Sequence, residues 1–147
     1  MKFFTSEWWA SGSENAMEVF NRYEAHLAAI RDFLPPPLVE FGSKHTLHDA
    51  EVKHIECNFL SRSLSVNLHG WDLELKNKVC YTLQFSGVSL FDQALPQQEY
   101  VESELGDIGY WECSLVGNEV EVCILFVSGA EFRILFQGFS FLHAREA

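Results

Sequence analysis

Basic residues are scarce in this chain. Ten lysines and arginines stand against 21 aspartates and glutamates among 147 residues, a net charge of −11. Such a balance repels phosphate backbones and anionic lipid, which argues against nucleic acid and membrane surface as direct partners. It favours a basic protein or a cation as partner, or it serves solubility alone. Long apolar runs are also missing. Nothing approaches the roughly 20 apolar residues of a membrane span. The apolar start Met1–Trp9 is too short for a signal-peptide core, and Glu7 interrupts it. Cysteine is sparse, and Cys57, Cys80, Cys113 and Cys123 show no CxxC spacing. They read as reduced, buried thiols of a cytoplasmic protein, so neither a disulfide framework nor a cysteine zinc site is expected. The chain has no glycine-rich phosphate loop, no Walker motif and no GxSxG elbow, so no cofactor is expected and nucleophilic catalysis has little support.

What is present suits one domain. Hydrophobic residues make up 48%, including 13 phenylalanines and four tryptophans, enough to build a sizeable core without staples. Residues 1–37 read as an arm and a helix, and 47–142 as antiparallel sheet. In the arm, Phe3, Phe4, Trp8 and Trp9 either pack on the domain or form a contact surface, which leaves the protein a monomer or a homodimer. Ser11 with Glu14 three residues later is a capping-box pattern. Phe20, Tyr23, Leu27, Ile30 and Leu34 then form one helical stripe running to about Phe33. Pro35-Pro36-Pro37 stops that helix. Leu38 to Thr46 reads as a crossing segment with a turn at Gly42-Ser43.

From Val52 the period changes to two. Ile55, Cys57 and Phe59 alternate with polar residues, as do Leu64, Val66 and Leu68, which predicts a hairpin. Val52 and Ile55 are out of phase, which predicts a bulge at Lys53-His54. Val79 to Phe85 is a third strand, and Phe91 to Gly106 reads as a long polar loop. Trp111 to Phe136 is a meander with a tight turn at Val116-Gly117-Asn118. Its middle strand carries Val120, Val122, Ile124 and Phe126 on one face and, beyond Glu119 and Glu121, Cys123, Leu125 and Val127 on the other, so part of it is expected to be buried on both sides. The sum is an α+β fold: one amphipathic N-terminal helix packed on a curved, mostly antiparallel sheet of about six or seven strands.

Two groups of residues invite functional readings. His48, Asp49 and Glu51, with His45 and His54 nearby, offer imidazole and carboxylate ligands of the kind metals take. They equally serve to hydrogen-bond the approach to the first strand, or to contact a partner. The second group is acidic. Glu112, Glu119, Glu121 and Glu131 fall on one face of adjacent strands, and Glu102 and Glu104 crowd the loop before them. That face is either a solvated exterior or a dock for a basic protein.

Met1-Lys2-Phe3-Phe4-Thr5-Ser6-Glu7-Trp8, the helix ending in Leu34-Pro35, and Leu47-His48-Asp49-Ala50-Glu51-Val52 together resemble a family of uncharacterised small bacterial proteins, a domain of unknown function. That family opens with Met-Lys-aromatic-Phe-Thr-x-Glu-Trp and carries Leu-His-Asp leading into its sheet. The resemblance covers roughly the first half of the chain. It implies a bacterial cytoplasmic protein and supplies no functional residues. The His-Asp motif is also similar to that of some immunity proteins, which neutralise toxins in competition systems. The expectation is therefore a non-enzymatic interaction module, of immunity or regulatory type, that binds a basic partner. The alternative is a metal-dependent enzyme or metal-binding protein using His48, Asp49 and Glu51.

Overall fold

Thr5 starts the first helix. In the computed structural model, which describes residues 1–95 and 105–146, its hydroxyl accepts the Trp8 amide at 3.1 Å and caps α1 (Ser6–Ala10). The chain cannot run on from there as one helix. Gly12, Ser13 and Asn15 take φ of +96°, +56° and +53°, outside helical space. The capping box expected from Ser11 and Glu14 therefore does not form. Ser11 closes α1 instead, its hydroxyl donating to the Trp8 carbonyl. The main helix, α2, spans Ala16–Ile30 and tightens into a 3-10 turn at Arg31–Phe33.

The three prolines act in both directions. Leu34 is extended, as the residue before a proline must be, while Pro36 sits in the first turn of α3 (Pro36–Lys44). Proline's missing amide costs nothing there, because first-turn amides have no helical partner. The expected crossing segment with a turn at Gly42-Ser43 is thus a third helix. Its Leu38 and Phe41 are buried.

Eight antiparallel strands follow among the described residues: β1 (Glu51–Asn58), β2 (Ser63–Trp71), β3 (Lys78–Ser86), β4 (Leu90–Ala94), β5 (Ile108–Val116), β6 (Glu119–Phe126), β7 (Glu131–Phe136) and β8 (Gly138–Arg145). They make two four-stranded sheets, ordered β1-β2-β3-β8 and β4-β7-β6-β5. The α+β class is as expected; the single helix and single sheet of six or seven strands are not. The chain leaves the first sheet after β3 through Gly87, where φ is +62°. It returns at Gln137, between β7 and β8. Alternation reads the same whichever sheet a strand joins, so the pattern does not reveal the division. The polar loop expected from Phe91 begins instead as β4, and its 96–104 portion, with Glu102 and Glu104, lies outside the described residues.

One apolar core joins the sheets. Leu64, Val66 and Leu68 of β2 and Tyr81, Leu83 and Phe85 of β3 meet Val122, Ile124, Ile134 and Phe136 of the second sheet. Phe85 stands edge-on to Phe136 with ring centroids 4.8 Å apart. Phe41 of α3 meets Tyr81, Trp111 and Phe141 at 5.1–5.7 Å, so α3 covers one end of this core. The bulge is where the phase break put it, between Val52 and His54. Gly117 and Asn118 turn β5 into β6, and β6 is buried on both faces from Val120 to Phe126.

Candidate functional site

The acidic face forms, but it is not a free surface. Antiparallel register places Glu112 opposite Cys123, Ser114 opposite Glu121, Leu125 opposite Glu131 and Val116 opposite Glu119. All four glutamates therefore share one side of the second sheet. Glu112 is only 2% exposed and Glu121 only 6%. Glu112 accepts the backbone amides of Lys2, Phe3 and Phe4, the last two at 3.1 and 3.2 Å. Glu121 takes the Arg133 guanidinium at 2.6 Å. Glu131 stands 3.9 Å from the Met1 amine, and Glu119 accepts the Ser89 hydroxyl. Each carboxylate thus has a partner on its own chain, and the N-terminal arm lies over Glu112 and Glu131. The arm's aromatics pack on β5: Phe4 is buried and stacks on Tyr110 at 5.1 Å. Burial pushes the Cys113 and Cys123 thiols up to about 12, so neither is a nucleophile.

His48 and Asp49 come together, but around a backbone joint. The His48 Nδ1–H donates to the Gly109 carbonyl at 2.9 Å. The Asp49 amide donates to the Ile108 carbonyl, and the Ile108 amide to the Ala50 carbonyl, at 2.9 and 2.8 Å. Asp49 takes φ +61° to do this. The motif therefore stitches the approach to β1 onto β5, where the two sheets meet. Glu51 turns aside to an ion pair with Lys53 at 3.0 Å. Nearby Asp107 has its carboxyl pushed up, first by burial and then by Asp49 and Glu51.

An opening suited to binding lies beside this joint. A cavity of about 820 Å³ opens between α2, α3 and β5. Phe20, Tyr23 and Leu27 of α2 wall one side, Leu38 and Val39 of α3 the other, and Tyr110 and Trp111 form the floor. Glu24, Arg31, Ser43 and His48 also line it, a few polar groups around an apolar body.

The floor is a sheet edge, because β5 is the last strand of its sheet. Part of that edge is capped by side chains. The Cys113 amide donates to the Tyr23 hydroxyl at 2.8 Å, and the His26 Nε2–H donates to the Cys113 carbonyl at 2.9 Å. With His48 on Gly109, both ends of the cleft floor are occupied. Antiparallel strands send alternate residues' backbone groups to opposite sides. Trp111, two residues from Cys113, therefore directs its amide and carbonyl to the same edge. No described group bonds them there. Sequence reading missed Tyr23, His26 and Trp111. Tyr23 counted only as part of an apolar stripe, although a tyrosine in such a stripe carries a hydroxyl that must find a partner when buried.

In comparison with known proteins, no family model matches the chain and no curated protein is significantly similar to it in sequence.

Proposed function

We propose that this protein is a non-enzymatic interaction module, of immunity or regulatory type, that takes a basic and partly apolar segment of another protein into the cleft between α2, α3 and β5. The observation that supports this most is the uncapped Trp111 amide and carbonyl on the floor of an apolar cleft, flanked by two capped positions. An extended segment laid there gains both hydrogen bonds by strand addition, and its alternate side chains enter the apolar walls. Charge favours a basic segment. Glu24 lines the cleft, Glu18, Glu40 and Asp49 stand exposed on the flanking elements, and the chain carries −11 overall. Arg31 offers one site for an acidic or carbonyl group of the same segment. The metal-enzyme alternative gains less support, since His48 Nδ1 is bonded to the Gly109 carbonyl and Glu51 to Lys53.

Gly42 provides the test. It lies in α3, lines the cleft, and a Cβ there would sit 3.8 Å from the Trp111 ring, in ordinary contact. A side chain is therefore accommodated there at its Cβ, in a helix where glycine is itself unfavourable, and Gly42→Phe should obstruct the cleft. Selection from a displayed random-peptide library on the full chain should enrich sequences mixing lysine or arginine with apolar residues. Their binding should weaken with salt and fall at least tenfold in Gly42→Phe. No enrichment, or binding indifferent to Gly42→Phe, would count against the cleft.

A further inference from the structure

We propose that His69, Cys80 and Glu146 form a zinc site on the outer face of the first sheet. His69 and Cys80 are register partners on β2 and β3, directly opposite each other on a regular ladder. Such a pair is held about 5 Å apart at its Cβ atoms by the sheet itself. Glu146 is brought over them by the end of β8, where its backbone amide donates to the Lys78 carbonyl at 3.1 Å. The three ligand atoms all lie within 4.8 Å of one another, and no other such trio of metal-ligating side chains occurs among the described residues.

Two of the three ligand–ligand distances match the ion's geometry as they stand. Tetrahedral zinc bonds of about 2.0–2.1 Å to nitrogen, 2.0–2.2 Å to oxygen and 2.3 Å to sulfur imply ligand–ligand edges of roughly 3.3–3.7 Å. Glu146 Oε1 is 3.3 Å from His69 Nδ1 and 3.7 Å from Cys80 Sγ. One imidazole, one thiolate and one carboxylate make a mixed set suited to a borderline-soft ion rather than to magnesium or calcium. Three protein ligands leave the fourth position for water or for a group from a partner. His69 is the only ion-pair partner of Glu146 among the described residues, so no lysine or arginine competes for its carboxylate. The site lies on the first sheet, whereas the floor of the cleft is β5 of the second, and it does not depend on the function proposed above.

Cobalt(II) is the probe, because a thiolate bonded to it gives a near-ultraviolet charge-transfer band and tetrahedral geometry gives strong visible bands. Titrated into the reduced full chain, it should produce both at one equivalent, and zinc should bleach them. Cys80→Ser should abolish the charge-transfer band. His69→Ala and Glu146→Gln should each weaken binding at least tenfold, while Cys57→Ser and His48→Ala should change nothing. Circular dichroism of the metal-free variants should match the parent, since none of the three side chains belongs to the core. No charge-transfer band in the parent, or a band that survives Cys80→Ser, would overturn the site. So would loss of binding in His48→Ala, which would put the metal at the joint before β1.

Discussion

A carboxylate excluded from water needs donors aimed at it, and Glu112 has three. The amides of Lys2, Phe3 and Phe4 all point at its two oxygens. The glutamate is thus the anchor of the N-terminal arm, not a surface charge. Glu112→Ala would leave several part-buried amides without acceptors, at a cost of at least about 2 kcal/mol. Glu112→Gln keeps one acceptor oxygen and should lose less. Urea denaturation followed by tryptophan fluorescence measures both. Equal stability in all three proteins would show that the arm is held by its aromatic contacts alone. Tyr23 and His26 work similarly at this scale, each spending its polar tip on the Cys113 backbone while its ring packs against Phe3. They protect an edge strand that would otherwise present open donors and acceptors.

At the scale of elements, the short helix α1 depends on a glycine in a distant strand. Gly109 lies at the bulge of β5, and the Trp9 indole rests on it so closely that any Cβ would overlap the ring. The glycine is needed for this close approach, which lets α1 lie down on the sheet. Gly109→Ala should destabilise the fold by about 1–3 kcal/mol through overpacking. Trp9→Ala in the same chain should recover part of that loss, because the two changes touch one contact. A double-mutant cycle by thermal denaturation checks it; strict additivity would mean that the methyl group finds room elsewhere. The prolines teach a related lesson about α2 and α3. One Pro-Pro-Pro run ends a helix and begins the next, since the restriction before a proline and the tolerance for it in a first turn apply to successive residues.

At the scale of the whole molecule, three acidic side chains meet at the joint between the sheets. Burial raises the Asp107 carboxyl there, and Asp49 and Glu51 stand close enough to raise it further. A carboxyl raised in the folded state holds a proton that the unfolded chain has already released. Its effect on stability is therefore absent below about pH 3.8 and becomes a growing penalty as pH climbs through the raised value. Asp107→Asn should accordingly raise the melting temperature at pH 7, and the gain should vanish as pH falls toward 4. Melting curves across that range test it; a gain independent of pH would assign the effect to something other than ionisation. No helix among the described residues is long and apolar enough to cross a membrane. The metal and peptide sites proposed above occupy different sheets, so each can be removed without the other.

Period and punctuation determined much of this protein locally. The alternation of Leu64, Val66 and Leu68, the phase break at Lys53, the Gly117-Asn118 turn and the doubly apolar β6 were all legible, because each depends on neighbours in the chain. The same alternation placed Glu112, Glu119, Glu121 and Glu131 on one side. Only tertiary structure decided what lies over that side, because the covering arm is more than a hundred residues away in sequence from Glu112. It also divided the strands into two sheets and made a helix of residues 36–44. The cleft is tertiary for the same reason. It exists where two helices and a strand edge fail to fill the space between them, and no single segment records a space.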